Sequence, residues 1–242
     1  MALLETENVV VRFGGVRALS ETSVSVEPGR VTGLIGPNGA GKTTLFNVIT
    51  GLQDPDKGRV VLDGKDITGY SPFRRARLGI SRTFQKLEAF SSLSARDNVL
   101  VAAEQRRAWD RSPFSPGTVA DHLLAVVGIS DVAQYMVGTL PTGTARLVEL
   151  ARALALSPRV LLLDEPSSGL NEEETSAMAS LLLSLVADGL AVLLVEHDMS
   201  LVMTTCEHIY VLEFGQIIAQ GAPEQIQSDA AVQAAYLGSA AR

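Results

Sequence analysis

The stretch Gly36-Pro-Asn-Gly-Ala-Gly41-Lys42-Thr43-Thr44 constrains the fold more than any other part of the chain. It follows the apolar run RVTGLIG and leads into the helical pattern KTTLFNVITGL, so it joins a buried strand to the start of a helix. In that setting the glycines let the backbone curl until successive N–H groups point at one place, and the helix behind adds the positive end of its dipole. Such a loop cradles phosphate oxygens. Gly36, Pro37, Asn38, Gly39, Ala40 and Gly41 form the cradle, and Lys42, Thr43 and Thr44 open the helix. Lys42 brings a point charge for β and γ phosphates, and Thr43 a hydroxyl for Mg2+.

The remaining patterns assemble a layered α/β chain around that unit. VLLLDE (160–165) and AVLLVEHD (191–198) read as buried parallel strands separated by an amphipathic helix over about 172–187, which requires a sheet covered on both faces. The first of these delivers Asp164 and Glu165 at its C-terminal end, where open α/β sheets bind ligands. In P-loop NTPases an acid in that place holds Mg2+ through its water shell, so Asp164 takes that part and Glu165 is left to polarise the water attacking a γ-phosphate. LETENVVVRF and VSVEP are β-rich, GRVVLDGKDIT is a strand and turn, and ISRTFQ is a short strand. Residues 87–157 carry helical periodicity in DNVLVAAEQRRAW, VADHLLAVVGI and TARLVELARALAL, broken by SPFSPG at 112–117, and read as an inserted helical subdomain. HIYVLEFGQIIAQG predicts a hairpin turning near Gly215, and PEQIQSDAAVQAAYLG a single closing helix. Arg74, Arg75, Arg77 and Arg82 read as a solvated basic face, and Glu172, Glu173 and Glu174 as first-turn acids of a helix.

Composition removes several function classes. With 20 Lys and Arg against 27 Asp and Glu, the net charge of −7 lacks the overall positive field of non-specific nucleic-acid binders. The single cysteine, Cys206, forms no internal disulfide and reads as a buried thiol. MALLETENVVV lacks the cationic and apolar regions of a signal peptide, so the expectation is a cytoplasmic chain. LLLSLVADGLAVLLV is interrupted by Ser184, Asp188 and Gly189 and falls short of the about 18 uninterrupted apolar residues of a membrane span, so no direct insertion is expected.

LLLDEPSSGLN followed by LLVEHDM, with RTFQ upstream of a helical insert, resembles the nucleotide-binding subunit of ATP-binding cassette (ABC) transporters along essentially the whole chain. Within that group VRFGGVRAL, ARLGISRTFQ, DNVLVA, GLNEEET, EHDMSLVM and QAAYLG most resemble the ATP-binding subunits of branched-chain amino acid importers. The resemblance implies one domain over 1–242 with a RecA-like parallel core of the P-loop NTPase type, an N-terminal antiparallel β subdomain and the helical insert. It implies ATP and Mg2+ as ligands, Gln85 as the residue sensing Mg2+ and γ-phosphate, His197 as the switch histidine, and Phe13 as the ring under the adenine. It also implies a second ATP-binding subunit, a paralogue or a second copy, and transmembrane permease subunits that hold the chain on the inner face of the cell membrane. ATPases of lipid or lipopolysaccharide exporters resemble the same subfamily, and a non-transport ABC ATPase is the rival of another class.

Two motifs depart from the wider family. Asn171 stands where most members have aspartate in the loop crossing the dimer interface, a departure the branched-chain subfamily shares. The signature loop that completes the partner's ATP site, usually Leu-Ser-Gly-Gly-Gln, reads Leu140-Pro141-Thr142-Gly143-Thr144. Pro141 lacks the serine hydroxyl and a backbone N–H, while Gly143 and the helix start remain. The expectation is a heterodimer in which ATP on Lys42 faces an intact partner signature and turns over, and ATP facing Pro141 turns over slowly.

Overall fold

The computed structural model describes residues 2–239; Met1 and residues 240–242 of the expected 1–242 domain lie outside the described residues. From β1 (Leu4–Phe13) and β2 (Val16–Val26) the chain runs through β3 (Val31–Ile35), α1 (Lys42–Thr50), β4 (Lys57–Leu62), β5 (Lys65–Asp66), α2 (Pro72–Arg77) and β6 (Ile80–Arg82). Then come α3 (Ala95–Arg107), α4 (Pro116–Val126), α5 (Thr142–Ala155), β7 (Val160–Asp164), α6 (Glu172–Ala187), β8 (Ala191–Val195) and α7 (Met199–Thr205). The hairpin of β9 (His208–Glu213) and β10 (Gln216–Gly221) precedes α8 (Pro223–Ser228) and α9 (Ala230–Ser239).

Two sheets result. The larger has the order β10-β9-β3-β8-β7-β6, parallel throughout except for β10, and the smaller is antiparallel in the order β2-β1-β4-β5. Every residue of β3, β7 and β8 is buried because alternate side chains serve different cores. Ile35, Leu161, Leu163, Val192 and Leu194 pack with the helical side of the molecule. Leu34, Val160, Leu162, Leu193 and Val195 pack with Phe46 and Ile49 of α1 and with Val9 and Leu62 of the smaller sheet. Continuous apolar strands thus place the C-terminal ends of β3, β7 and β8 side by side, and the phosphate-type loop, Asp164 and Glu165, and His197 follow from those ends.

Several local expectations are corrected. ISRTFQ is a strand only as far as Arg82; Thr83 still donates its N–H to the Leu162 carbonyl of β7 at 2.9 Å, and Phe84 and Gln85 lie beyond the strand. The turn SPFSPG stops at Ser115, because Pro116 occupies the first helical position of α4 and the Ser115 hydroxyl accepts from Thr118 N–H at 3.4 Å. The closing helix is two helices: Asp229 is extended, and its carboxylate accepts from Ala231 and Val232 N–H at 2.8 and 3.1 Å, starting α9 afresh. LLLSLVADGLAVLLV is divided between α6 and β8, and no helix among the described residues is long and apolar enough to cross a membrane. At α6 the acids do begin the helix, and Asn171 and Glu174 cap it reciprocally with two 2.9 Å bonds. Cys206 is buried, which pushes its thiol up to about 12.

The basic face is half wrong. Arg74 and Arg77 are exposed, Arg74 lying 3.6 Å from the Tyr70 ring centroid and Arg77 5.5 Å from that of Phe73. Arg75, only 1% exposed, turns inward instead. Its guanidinium donates to the carbonyls of Val48 (2.6 Å) and Ile49 (2.8 Å) at the end of α1, and to those of Tyr70 (2.9 Å) and Thr68 (2.6 Å). Terminal helix carbonyls have no partner within their own helix, and a planar five-donor fork satisfies them where a lysine could not. Arg82 is the second correction and belongs to the site.

Candidate functional site

The loop after β3 closes tightly on β2 and β9. Gly36 has φ of +149°, and a Cβ there would lie 1.9 Å from the Leu212 carbonyl oxygen. Gly41 has φ of +112°, and its Cβ would lie 2.5 Å from the Ala18 carbonyl oxygen. Only glycine fits either place. Gly41 is the N-cap of α1 and no side chain caps that helix, so its first N–H groups are uncommitted to side chains. Lys42 donates from Nζ to the carbonyls of Gly36 (2.6 Å) and Pro37 (3.1 Å). Burial pulls its pKa below the usual lysine value, opposed by the charges of Glu165 and Asp164, which places the ammonium within reach of both carboxylates' fields. Thr43, Asn38 and Gly39 are exposed at the same mouth.

Three segments converge on Glu165. Its backbone sits at φ +51°, a left-handed conformation that costs a non-glycine residue about 1 kcal/mol or more, and its N–H donates to the Val195 carbonyl at 2.8 Å. His197 Nε2 meets Glu165 Oε1 at 2.9 Å, and Gln85 Nε2 donates to both carboxylate oxygens at 3.2 Å. Gln85, Glu165 and His197 are therefore brought together from the ends of β6, β7 and β8. Beside them Asp164 is buried and ion-paired to Arg82, Nη2 to Oδ2 at 2.9 Å, and burial raises its pKa despite that cation.

Five residues here escape the sequence analysis or run against it. Glu196, 2% exposed, accepts from Ser167 N–H at 2.8 Å and from the N–H groups of His197 and Asp198 at 2.9 and 3.3 Å, fixing the histidine's backbone against the segment after Glu165. Its signal was available: like Asp164 it is an acid at the end of a fully apolar strand. Arg82 was read as solvated, yet its side chain is 5% exposed. Arg146 and Glu149, a buried pair on α5 (3.1 Å), grip the Gln85 segment: Arg146 donates to the carbonyls of Phe84 (2.7 Å) and Gln85, and Glu149 accepts from Glu88 N–H. Arg152 adds a bond to the Glu88 carbonyl at 2.7 Å.

Two expected residues stand apart from this cluster. Phe13 ends β1 with 53% of its surface exposed, which leaves an open aromatic face. Gly143 is buried in the first turn of α5, where a Cβ would lie 2.5 Å from Leu170 Cδ2 and 3.6 Å from Glu174 Oε2 of the same chain. It packs on the loop leading to Asn171, while Lys42 packs on its own loop.

Residues 19–168 match the family described as ABC transporter, and residues 216–242 that described as branched-chain amino acid ATP-binding cassette transporter. The chain is 40% identical to the high-affinity branched-chain amino acid transport ATP-binding protein BraF of Pseudomonas aeruginosa, over 98% of each. It is 36% identical to the lipopolysaccharide export system ATP-binding protein LptB of Haemophilus influenzae, again over 98% of each. A nucleotide-free ATP-binding cassette from an ABC transporter has a TM-score of 0.88 at 34% identity, covering 98% of this chain and 99% of that one. The ADP conformation of such a cassette gives 0.87 at the same identity and coverage. A chain that matches this family over most of its length, and folds as its cassettes do, belongs to the ABC transporter family and is one of its ATPases.

Proposed function

We propose that this ATPase binds Mg-ATP on Gly36 to Thr44 and energises a permease that imports branched-chain or related amino acids. The convergence of Gln85 and His197 on Glu165, beside the loop that holds Lys42, carries the catalytic part of this reading. The match of residues 216–242 to the branched-chain family and the 40% identity to BraF support the choice of solute.

In this reading Lys42 gives up its two loop carbonyls for phosphate oxygens, an exchange of neutral acceptors for charged ones. Glu165 orients and deprotonates the attacking water, His197 contacts the γ-phosphate, and Gln85 moves between Glu165 and the phosphate side. Phe13 stacks on the adenine, for which a flat exposed ring suffices. The donors offered to Mg2+ are the Thr43 hydroxyl, the Gln85 amide oxygen and Asp164; groups of three or more His, Cys, Asp or Glu suited to a metal are absent among the described residues. A sparse set of hard oxygens completed by substrate phosphates fits magnesium, which when bound would neutralise phosphate charge. Residues 87–157 act as the helical subdomain of one nucleotide-binding domain. A second ATP-binding subunit, which receives Gly143, completes each site, and the permease holds the pair on the cytoplasmic side of the membrane. Pro141 at the N-cap of α5 favours a paralogue as that second subunit.

A second reading, the ATPase of a lipid or lipopolysaccharide exporter, is favoured by the full-length match to LptB. Reconstitution of the chain with its permease in proteoliposomes separates them. Import predicts that a solute-binding protein loaded with leucine, isoleucine or valine raises ATP turnover; turnover indifferent to it and raised by a lipid substrate would sink the import reading.

A further inference from the structure

Arg82 ends β6 and carries its charge inward, against the pattern of an arginine-rich surface. Its guanidinium donates from Nη1 to Asn47 Oδ1 at 2.6 Å, from Nη2 to Asp164 Oδ2 at 2.9 Å and from Nε to the Thr83 carbonyl at 3.1 Å. The rings of Phe46 and Phe84 lie 5.2 and 4.8 Å away. A cation held this deeply is retained only where a carboxylate and hydrogen bonds replace its water. One ligand fixes it to α1, directly behind the phosphate-type loop, and another to the strand end that carries Glu165. Asp164 thus lies in the fields of two cations, Arg82 and Lys42, with the Glu165 carboxylate beside it, two charges of each sign.

We propose that Arg82 is a positioning residue that neutralises Asp164 when no metal is bound, so that the loop accepts a nucleotide without magnesium and the metal finds its carboxylate already oriented. The inference rests on the proposed reading of Asp164 as the carboxylate on the metal's side. Without Arg82 the set carries one excess negative charge, and the polyphosphate of a metal-free nucleotide meets it at close range. A bound magnesium ion would offset the same charge. Losing Arg82 therefore weakens metal-free binding more than magnesium-supported binding, which a purely structural ion pair would not do.

The test is titration of a fluorescent ATP analogue in magnesium and in EDTA. Arg82→Met should widen the ratio of the two dissociation constants by about tenfold or more, the scale of one charge-assisted contact, and Arg82→Lys should restore it. An unchanged ratio, with both affinities falling together, overturns the proposal. Asp164→Asn and the double variant Arg82→Met/Asp164→Asn give a comparison that does not depend on Arg82→Met folding with an unpaired carboxylate. In EDTA the single Asp164→Asn variant should bind the analogue more tightly than the double, because Arg82 then faces the phosphates unopposed; equal affinities overturn the proposal. Failure of the unsubstituted protein to bind the analogue at all would count against the nucleotide site itself.

Discussion

Replacing Arg146 with methionine asks how firmly the Gln85 segment is held. Methionine keeps much of the packing of the arginine stem and removes every donor. The carbonyls of Phe84 and Gln85 then turn to water, at about 1 kcal/mol for each net hydrogen bond. The larger loss is at Glu149, 5% exposed, which keeps the Glu88 N–H but loses its nearest cation, Arg152 remaining as the other. Breaking one side of a buried pair costs about 3 kcal/mol or more, so the variant should lose roughly 3 to 5 kcal/mol, or about 6 to 20 °C in Tm for a chain of this size. Burial already holds the Glu149 carboxyl above its usual pKa, and without Arg146 it rises further. A raised carboxylate opposes folding once it is ionised, so the penalty is complete at neutral pH and fades as the pH falls toward the ordinary carboxylate range. The gap between variant and parent should narrow in acid. Adding Glu149→Gln removes the stranded charge and should recover most of the stability, while the Gln85 carbonyl stays ungripped and ATP turnover stays low. Urea unfolding at several pH values, with turnover measured on the same samples, checks both arms. A single variant as stable as its parent at neutral pH, or a double variant no more stable than the single, would refute the pair as the anchor.

Three shorter predictions follow from the same geometry. Lys42→Ala should weaken binding of a fluorescent ATP analogue by about ten to a hundredfold, the worth of one charge-assisted contact, and unchanged affinity in a folded variant would remove the loop as the phosphate cradle. Glu165→Gln should keep ATP binding and lower hydrolysis by about 10² or more; wild-type turnover would pass suspicion to His197, whose ring already touches that carboxylate. Arg75→Met leaves four carbonyls without their donor, two of them at the end of α1, and should cost about 2 to 4 kcal/mol by denaturant unfolding with little change in m-value.

What could be read in advance was whatever depends on local pattern. The loop Gly36 to Lys42, the strands VLLLD and AVLLV and the helix opened by Asn171 are each specified by residues adjacent in sequence, and each forms where its pattern puts it. Glu165 was legible from its place at the end of an apolar strand, whereas Gln85 and His197 were legible only through likeness to a family, since nothing in RTFQ or EHD states that the two segments meet. The buried charges were not legible. Arg75, Arg146 and Glu149 lie in helical runs and Arg82 in a short strand, none of which marks its charge as buried, and distant partners take part in burying each: the end of α1, 26 and 27 residues away, for Arg75, Asp164, 82 residues away, for Arg82, and the Phe84 to Glu88 segment, 61 to 62 residues away, for the α5 pair. A charged residue reveals burial only when its long-range carbonyl or carboxylate is known, and a single sequence carries no record of that pairing.

The segment after β6 is held by its backbone and by residues other than Gln85. At its start Arg82 fixes it to Asp164 and Asn47, and so to the sheet and α1. Three residues on, Arg146 takes the Gln85 carbonyl, and Glu149 and Arg152 take the backbone of Glu88, all from α5. Among the described residues the Gln85 side chain makes only its two 3.2 Å bonds to Glu165, long enough to be surrendered cheaply. The segment is thus bonded to the sheet and α1 at one end and to α5 at the other, so a shift of α5 against the sheet would displace Gln85 relative to Glu165. Gly143 lies one turn before Arg146 on the same helix, packed on Leu170. A helix is stiff over a single turn, and whatever presses on its first residues is therefore delivered three residues later to the carbonyl of Gln85.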